Sequence, residues 1–247
     1  MASSTNMSNG APKTVICVFC GASPGTTPDH LAAARALGEV LHKNNISLVY
    51  GGGTAGLMGE VARTLVSLSG PSSVHGIIPR ALVKHEKPTS VSDPSTSQVL
   101  SQQTFPQQMP QILGGSLQQH ASPQPYGRTT IVEDMHTRKA LMAKEVMTGG
   151  PGSGFIALSG GYGTLEELME IVTWNQLGIH DKGIVVLNVS GFWDGLLKWV
   201  ADATNAGFVK EANKRIFVEA KTAEEALECL RDYKVSEERL GLSWEKS

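Results

Sequence analysis

Short runs of apolar and β-branched residues alternate along this chain with longer amphipathic stretches. The apolar runs predict strands at residues 14–19, 46–50, 74–78, 128–132, 155–158, 184–188 and 215–218. The amphipathic stretches predict helices at residues 28–43, 57–68, 135–147, 164–177, 193–206 and 223–233. Because continuous apolar strands that alternate with helices form parallel sheets covered on both faces, we expect an α/β fold: a Rossmann-like, doubly wound parallel sheet.

The domain organisation follows from the same pattern. We expect one domain over residues 14–233, with flexible termini at 1–13 and 234–247. Residues 87–127 interrupt this domain with a low-complexity run that is rich in Ser, Gln and Pro. Such a composition buries too little apolar surface to order itself, so we interpret the segment as an insertion. A functional loop is the alternative for a segment of this length in a compact domain.

Composition excludes several classes of partner. The chain has 247 residues, with 21 Lys and Arg against 23 Asp and Glu, a formal net charge of −2. Such a near-neutral chain has no electrostatic footprint for nucleic acid or an anionic membrane. No apolar run approaches the roughly 18–20 residues of a membrane span, and residues 1–13 lack the apolar core of a secretory signal. We therefore expect a cytoplasmic protein.

The three cysteines change this picture little. An odd, sparse count argues for a reducing compartment and against a disulfide framework. Cys17 and Cys20 form a C-x-x-C sequence, which suggests a redox or zinc pair. However, residues three apart on a strand point to opposite faces, so we expect the two thiols to diverge.

Two glycine-rich turns each follow a predicted strand and open a predicted helix. They are Y-G-G-G-T-A-G-L-M-G at residues 50–59 and S-G-G-Y-G-T-L-E-E at residues 159–167. The amides and dipole of a helix N-terminus attract phosphate, and glycine lets the anion approach the backbone. Because the carboxyl ends of parallel strands meet at one edge of a sheet, the two turns predict a phosphate or nucleotide site.

The first turn also matches the dinucleotide pattern G-x-G-x-x-G through Gly51, Gly53 and Gly56. That fingerprint belongs to the first strand of a Rossmann fold, whereas this turn follows the second. Residues 72–80 contain no Asp or Glu where the ribose-binding acid is expected, about 20 residues further on. A nicotinamide-dependent dehydrogenase is therefore disfavoured.

Two sites allow both a structural and a functional interpretation. Thr164 and Glu167 have the spacing of a capping box at a helix start. If a phosphate occupied those amides instead, Glu167 would lie roughly 4.5 Å further along the helix, near a sugar. Asp134 is a candidate N-cap, and Arg138 with its basic neighbours follows it where the helix dipole disfavours cations. Cations at a helix N-terminus, where the dipole disfavours them, indicate a functional site, although a solvated basic face also explains them.

Taken together, these motifs resemble the Lonely Guy family, the cytokinin-activating nucleoside 5′-monophosphate phosphoribohydrolases. The family signature P-G-G-x-G-T-x-x-E is similar to residues 159–167, except that Ser159 replaces the proline. Further matches are G-G-G-x-x-G-L-M-G at 51–59, M-H-x-R-K at 135–139, C-G-x-S at 20–23 and G-x-I-P at 76–79, followed by Glu86. The family's other label, lysine decarboxylase, would require a pyridoxal cofactor and a Schiff-base lysine, and no lysine here has a context that argues for one.

The resemblance implies a function, a partner and a set of site residues. The function is hydrolysis of the N-glycosidic bond of AMP or N6-prenylated AMP to free base and ribose 5-phosphate, with no cofactor and no metal. The partner is a second copy of the chain, in a homodimer at least, with active sites near the dimer interface. Arg138 and Glu167 would be the catalytic pair. The substrate-binding residues would be Ser23, Gly52, Gly53, Glu86, Lys139, Gly160, Gly161, Gly163 and Thr164.

The alternative from a different class is a non-catalytic nucleotide-binding or sensing protein on the same fold. Such a protein would share both glycine turns, but it would have no need for an arginine–glutamate pair.

Overall fold

The computed structural model describes residues 12–83 and 124–242. Most of the segment interpreted as an insertion lies outside these ranges, as do Glu86, residues 1–11 and residues 243–247. The last residues of that segment adjoin the domain, because the hydroxyl of Tyr50 donates a hydrogen bond to the carbonyl of Tyr126 at 3.3 Å. The side chain of Tyr126 also packs against the hydrophobic core.

The described residues form strands and helices in alternation. The strands are β1 (Val15–Phe19), β2 (Ser47–Tyr50), β3 (Val74–Pro79), β4 (Arg128–Val132), β5 (Gly154–Ala157), β6 (Gly183–Leu187) and β7 (Val218–Ala220). The helices are α1 (Pro28–Lys43), α2 (Gly56–Ser69), α3 (Arg80–Val83), α4 (Met135–Met147), α5 (Tyr162–Gln176), α6 (Asp194–Asn205) and α7 (Ala223–Arg231). Short 3-10 helices lie at Pro71–Ser73, Val189–Gly191 and Glu211–Arg215.

The strands form one parallel sheet in the order β4-β3-β2-β1-β5-β6-β7. The predicted fold class is thus confirmed. The chain runs outward from β1 to β4 and then returns to the other side of β1 with β5. This reversal places the switch point between β1 and β5, where the loops diverge and open α/β sheets bind their ligands.

The core consists of two apolar clusters, one on each face of the sheet. Apolar residues of α1, α2 and α7 build one cluster, and those of α4, α5 and α6 build the other. Cys17 belongs to the second cluster and Cys20 to the first, so the thiols diverge as predicted. Burial raises the pKa of both thiols. No helix in the described ranges combines the length and apolarity needed to cross a membrane.

Two details of the predicted element order are wrong. The last strand was predicted at residues 215–218, but a 3-10 helix occupies Glu211–Arg215 and β7 begins at Val218. Ile216 and Phe217, which suggested the strand, are instead buried in the apolar cluster beside α4, α5 and α6. The four-residue helix α3 was not predicted, since so short an element leaves no periodicity in the sequence.

Candidate active site

A cavity of about 760 Å³ opens at the carboxyl ends of the central strands. The loops after β1, β2 and β5, together with the start of α4, form its walls, and Phe192 closes one side. Its size lies within the roughly 300–1,000 Å³ of small-molecule sites. The cavity therefore occupies the switch point at which the sequence predicted a ligand.

Arg138 on α4 and Glu167 on α5 meet inside this cavity. The Nη2 group of Arg138 donates to the Oε1 atom of Glu167, and the two side chains are only 11% and 9% exposed. Gly51 lies against this pair, since a Cβ atom there would be in van der Waals contact with the Arg138 guanidinium at 3.4 Å. The sequence placed these residues 29 positions apart, and the fold makes them a buried ion pair.

This ion pair settles two interpretations that the sequence left open. Helix α5 begins at Tyr162 with Gly161 at its N-cap, and no side chain caps it. The capping-box interpretation of Thr164 and Glu167 is therefore wrong: Thr164 lies inside the first turn and Glu167 turns toward Arg138. The solvated-face interpretation is wrong for Arg138, which is buried. The N-cap prediction for Asp134 is confirmed, since its carboxylate accepts from the amide of Thr137 at 2.8 Å.

The electrostatics of the pair suit a base. Burial raises the pKa of the Glu167 carboxyl, and the charge of Arg138 opposes this effect. A carboxylate with a raised pKa holds a proton more strongly, and so accepts one more readily from water. The buried Nε atom of Arg138 has no hydrogen-bond partner among the described residues. An unpaired buried donor costs about 1–3 kcal/mol.

The second glycine turn leaves a helix N-terminus open to the cavity. The amide of Leu165 donates to the carbonyl of Gly161 at 3.1 Å, so the amides of residues 162–164 precede the first hydrogen bond of α5. Gly160 lets this turn close, since a Cβ atom there would lie 2.1 Å from the Thr164 hydroxyl oxygen. Nothing lies within 4 Å of a Cβ atom built at Gly161 or Gly163. The turn thus offers unpaired donors and space for an anion.

The first glycine turn has a different role. The amides of Leu57 and Met58, at the start of α2, donate to the carbonyl of Gly21 at 3.0 and 3.3 Å. A Cβ atom at Gly56 would lie 2.4 Å from the backbone of Ala22. These glycines let the loops after β1 and β2 pack closely, and the amides of Leu57 and Met58 already have a partner. The expected phosphate site therefore depends on the second turn.

The structure brings together most of the predicted site residues. The cavity lining contains Ser23, Arg138, Gly160, Gly161, Gly163, Thr164 and Glu167. Gly52 and Gly53 do not line it, and a Cβ atom at Gly52 would lie 3.1 Å from Ile78. Lys139 lies behind the pair, where its ammonium group contacts Glu166 and Glu170. Glu86 lies outside the described residues.

The lining side chains that sequence reasoning did not assign to the site include His30, Met135 and Phe192. His30 follows the C-G-x-S segment closely and lies in the first turn of a predicted helix, which is a usable signal for a site residue. Phe192 left none, because its place depends on the Val189–Gly191 turn. Within residues 12–83 and 124–242, no group of three or more His, Cys, Asp or Glu residues has the arrangement of a metal site.

Fold and cavity together define a Rossmann-like α/β protein with a ligand site at the topological switch point. Solved structures agree on the fold. The Moco Carrier Protein of Chlamydomonas reinhardtii superposes with a TM-score of 0.53 at 16% identity, over 89% of this chain and 96% of that one. The structure titled TM1055 gives a TM-score of 0.51 at 16% identity, over 90% and 99%. At these identities, the likeness extends to the fold alone.

Sequence comparisons are more specific. A family model described as "Possible lysine decarboxylase" matches residues 58–230. Two cytokinin riboside 5′-monophosphate phosphoribohydrolases of Arabidopsis thaliana are 40% and 38% identical to this chain, over 93% of it and 88–89% of their own lengths. A "Bifunctional cytokinin biosynthesis protein" of Fusarium pseudograminearum (strain CS3096) is 49% identical over 93% of the chain, which spans 42% of that protein. The chain belongs to the Lonely Guy family.

Proposed function

We propose that this protein hydrolyses the N-glycosidic bond of cytokinin-type adenosine 5′-monophosphates to the free base and ribose 5-phosphate. The observation that carries the proposal is the buried Arg138–Glu167 pair, which shares one cavity with the open N-terminus of α5. A protein that only binds nucleotides needs the helix N-terminus but not a buried carboxylate one turn behind it. The Arabidopsis relatives, by their names, act on cytokinin riboside 5′-monophosphates.

The chemistry follows from the order of groups along α5. The 5′-phosphate accepts hydrogen bonds from the amides of residues 162–164, and this binding energy fixes the position of the ribose. Glu167 lies one helical turn further on, roughly 4.5 Å along the axis from Thr164, beside the anomeric carbon. There its carboxylate stabilises the oxocarbenium-like sugar and accepts a proton from the attacking water. The bond between C1′ and the base breaks and the water oxygen bonds to C1′. The departing base takes a proton from solvent, and Glu167 returns to solvent the proton it accepted from the water.

Arg138 has two roles in this scheme. Its Nη2 group orients the Glu167 carboxylate, and its positive charge on the cavity lining stabilises the departing base. The neighbouring walls are apolar, with Leu57, Met58 and Met135 on the lining. These side chains suit a purine and an apolar substituent on it.

We further propose that the protein is a homodimer. The surface formed by α5, α6 and the turn before α6 exposes Tyr162, Leu165, Phe192 and Trp199. It adjoins the active-site cavity through Gly160, Gly161 and Phe192, which line both. Family membership, with active sites near a dimer interface, supports this surface as the contact. Light scattering should give twice the chain mass, and Trp199→Glu should give the monomer.

A cytoplasmic location remains a proposal that depends on the sequence. The three free thiols are consistent with the reducing compartment inferred from the cysteine count.

The direct test is incubation with N6-prenylated AMP, followed by chromatography of the products. We expect free prenylated adenine and ribose 5-phosphate in equal amounts. Tight binding without release of base would contradict the proposal and favour the non-catalytic nucleotide-binding alternative.

A further inference from the structure

His30, in the first turn of α1, lines the same cavity as Arg138 and Glu167. Its Nδ1 atom lies 3.0 Å from the hydroxyl oxygen of Ser159, the residue that replaces the signature proline of the family. Since proline carries no hydroxyl group, this hydrogen bond depends on the departure of this chain from the signature. The ring of Phe192 also contacts the imidazole edge-on, with 5.9 Å between ring centroids. Two neighbours therefore fix the orientation of His30.

The hydrogen bond also influences which ring nitrogen carries the proton. When the Ser159 hydroxyl donates to Nδ1, the proton of a neutral imidazole lies on Nε2. When the imidazole is protonated, both nitrogens donate and the hydroxyl oxygen accepts from Nδ1. In both of these states Nε2 is a hydrogen-bond donor. An anion next to Nε2 accepts that hydrogen bond and so favours these two states.

The charges on the cavity lining give this donor a function. A 5′-monophosphate brings a charge of about −1.5 to −2 near neutral pH. The ionisable side chains on the described lining are Cys20, His30, Arg138 and Glu167. Arg138 is already paired with Glu167, and burial raises the pKa of the Cys20 thiol, which keeps it neutral. His30 is therefore the one basic side chain on the described lining without a carboxylate partner.

The position of His30 fits the same role. Ser159, its hydrogen-bond partner, directly precedes Gly160 and the turn that opens α5. The carbonyl of Ser159 accepts from the amide of Gly21 at 2.9 Å, which joins the loops after β1 and β5 next to the imidazole. His30 thus lies at the end of the cavity that holds the unpaired amides of residues 162–164.

We propose that His30 donates from Nε2 to the 5′-phosphate of the substrate, and that Ser159 is a positioning residue for it. This inference rests on the proposed function for the identity of the ligand as a nucleoside 5′-monophosphate. It deepens that function by assigning a side chain to the phosphate, and it gives the Ser159 substitution a role.

The test separates the contributions of the two imidazole nitrogens, Nδ1 and Nε2. In His30→Asn, the amide lies near the former Nδ1 position and keeps the contact with Ser159. In His30→Gln, the amide nitrogen lies near the former Nε2 position and keeps a donor toward the cavity. Dissociation constants for AMP and adenosine are measured by calorimetry in a Glu167→Gln background, so that hydrolysis does not consume the ligand.

We expect His30→Asn to weaken AMP binding by about 10- to 100-fold, the range of one hydrogen bond to a charged group. Adenosine binding should change less than about twofold, because the lost donor contacts only the phosphate. His30→Gln should recover part of the AMP affinity. Ser159→Ala should cause a smaller loss, and that loss should vanish when residue 30 is already asparagine.

Two outcomes would overturn the inference: an AMP dissociation constant unaffected by His30→Asn, or equal losses for AMP and adenosine, which would indicate a structural role. A parallel hydrolysis assay with Glu167 intact keeps this inference separate from the proposed function. If AMP binding depends on His30 but no base is released, the proposed hydrolase activity is refuted and the inference about His30 stands. Release of base with an AMP affinity indifferent to His30 would refute only this inference.

Discussion

Replacing Glu167 by glutamine separates the chemical role of this side chain from its structural one. Glutamine keeps the shape of the side chain and an oxygen that accepts from Arg138, but it cannot act as a base. Loss of a general base lowers turnover by roughly 10²–10⁴, which is about 3–5 kcal/mol of transition-state stabilisation. The Michaelis constant should change little, because the amides of residues 162–164 still bind the phosphate.

The stability of Glu167→Gln should fall only slightly. A hydrogen bond to a charged group contributes about 1.5–3 kcal/mol and a neutral one about 0.5–1.5 kcal/mol, so exchanging them costs roughly 1 kcal/mol. Removing a buried carboxylate, whose pKa is raised by desolvation, offsets part of that loss. Glu167→Ala is a poorer test, because leaving Arg138 buried without its partner costs about 3–5 kcal/mol.

Glu166→Gln is the matched control. Its side chain is 52% exposed and pairs with Lys139, which keeps Glu170 as a second partner. We expect near-normal turnover and a free energy of unfolding within about 0.5 kcal/mol of the original. Turnover is followed by release of base, and stability by urea unfolding. A folded Glu167→Gln protein with near-normal turnover would refute the assignment of Glu167 as the base.

Three further changes test other parts of the account. Gly160→Ala should lower both the melting temperature and turnover, because its Cβ atom would lie 2.1 Å from the Thr164 hydroxyl oxygen. Gly241→Ala is the matched control: a Cβ atom there meets nothing within 4 Å, so neither quantity should change, and equal effects of the two substitutions would contradict this. The pKa of Glu167 is raised and its carboxylate is the active form, so kcat should fall on acidification with an apparent pKa above the ordinary glutamate value of about 4.3. This apparent pKa should rise further in Arg138→Gln, because the Arg138 charge lowers the pKa of Glu167. An apparent pKa at or below the ordinary value would contradict the scheme. Replacing residues 88–123 by a short Gly/Ser linker, with Glu86 and Tyr126 retained, should leave a folded, active protein. The reason is that the entropy of closing a loop depends only weakly on its length. Loss of soluble protein would show that the segment is structural.

The sequence predicts those features of the fold and site that depend on residues close together in the chain, and it predicts less well those that depend on residues far apart. Strand and helix periodicity is local, and it identified the parallel sheet and the turn at residues 159–167. The Arg138–Glu167 pair joins two helices, so local spacing alone suggested a capping box for Glu167 and a basic face for Arg138. From the sequence alone, the glycine-rich turn at residues 51–56 predicts an anion-binding site. The carbonyl of Gly21, which occupies the α2 donors, comes from a loop 36 and 37 positions earlier in the chain than Leu57 and Met58.

The 5′-phosphate requirement tests the central claim most directly. The measurement compares kcat/KM for an adenosine-type 5′-monophosphate, its nucleoside and its triphosphate under one set of conditions. The α5 N-terminus binds the phosphate and uses that energy to orient the reacting bond, so the nucleoside should react at least about 10²-fold less efficiently. The triphosphate should also be poorer, because the closed turn leaves limited room and Glu167 repels added negative charge. Equal kcat/KM values for nucleoside and monophosphate would contradict the account.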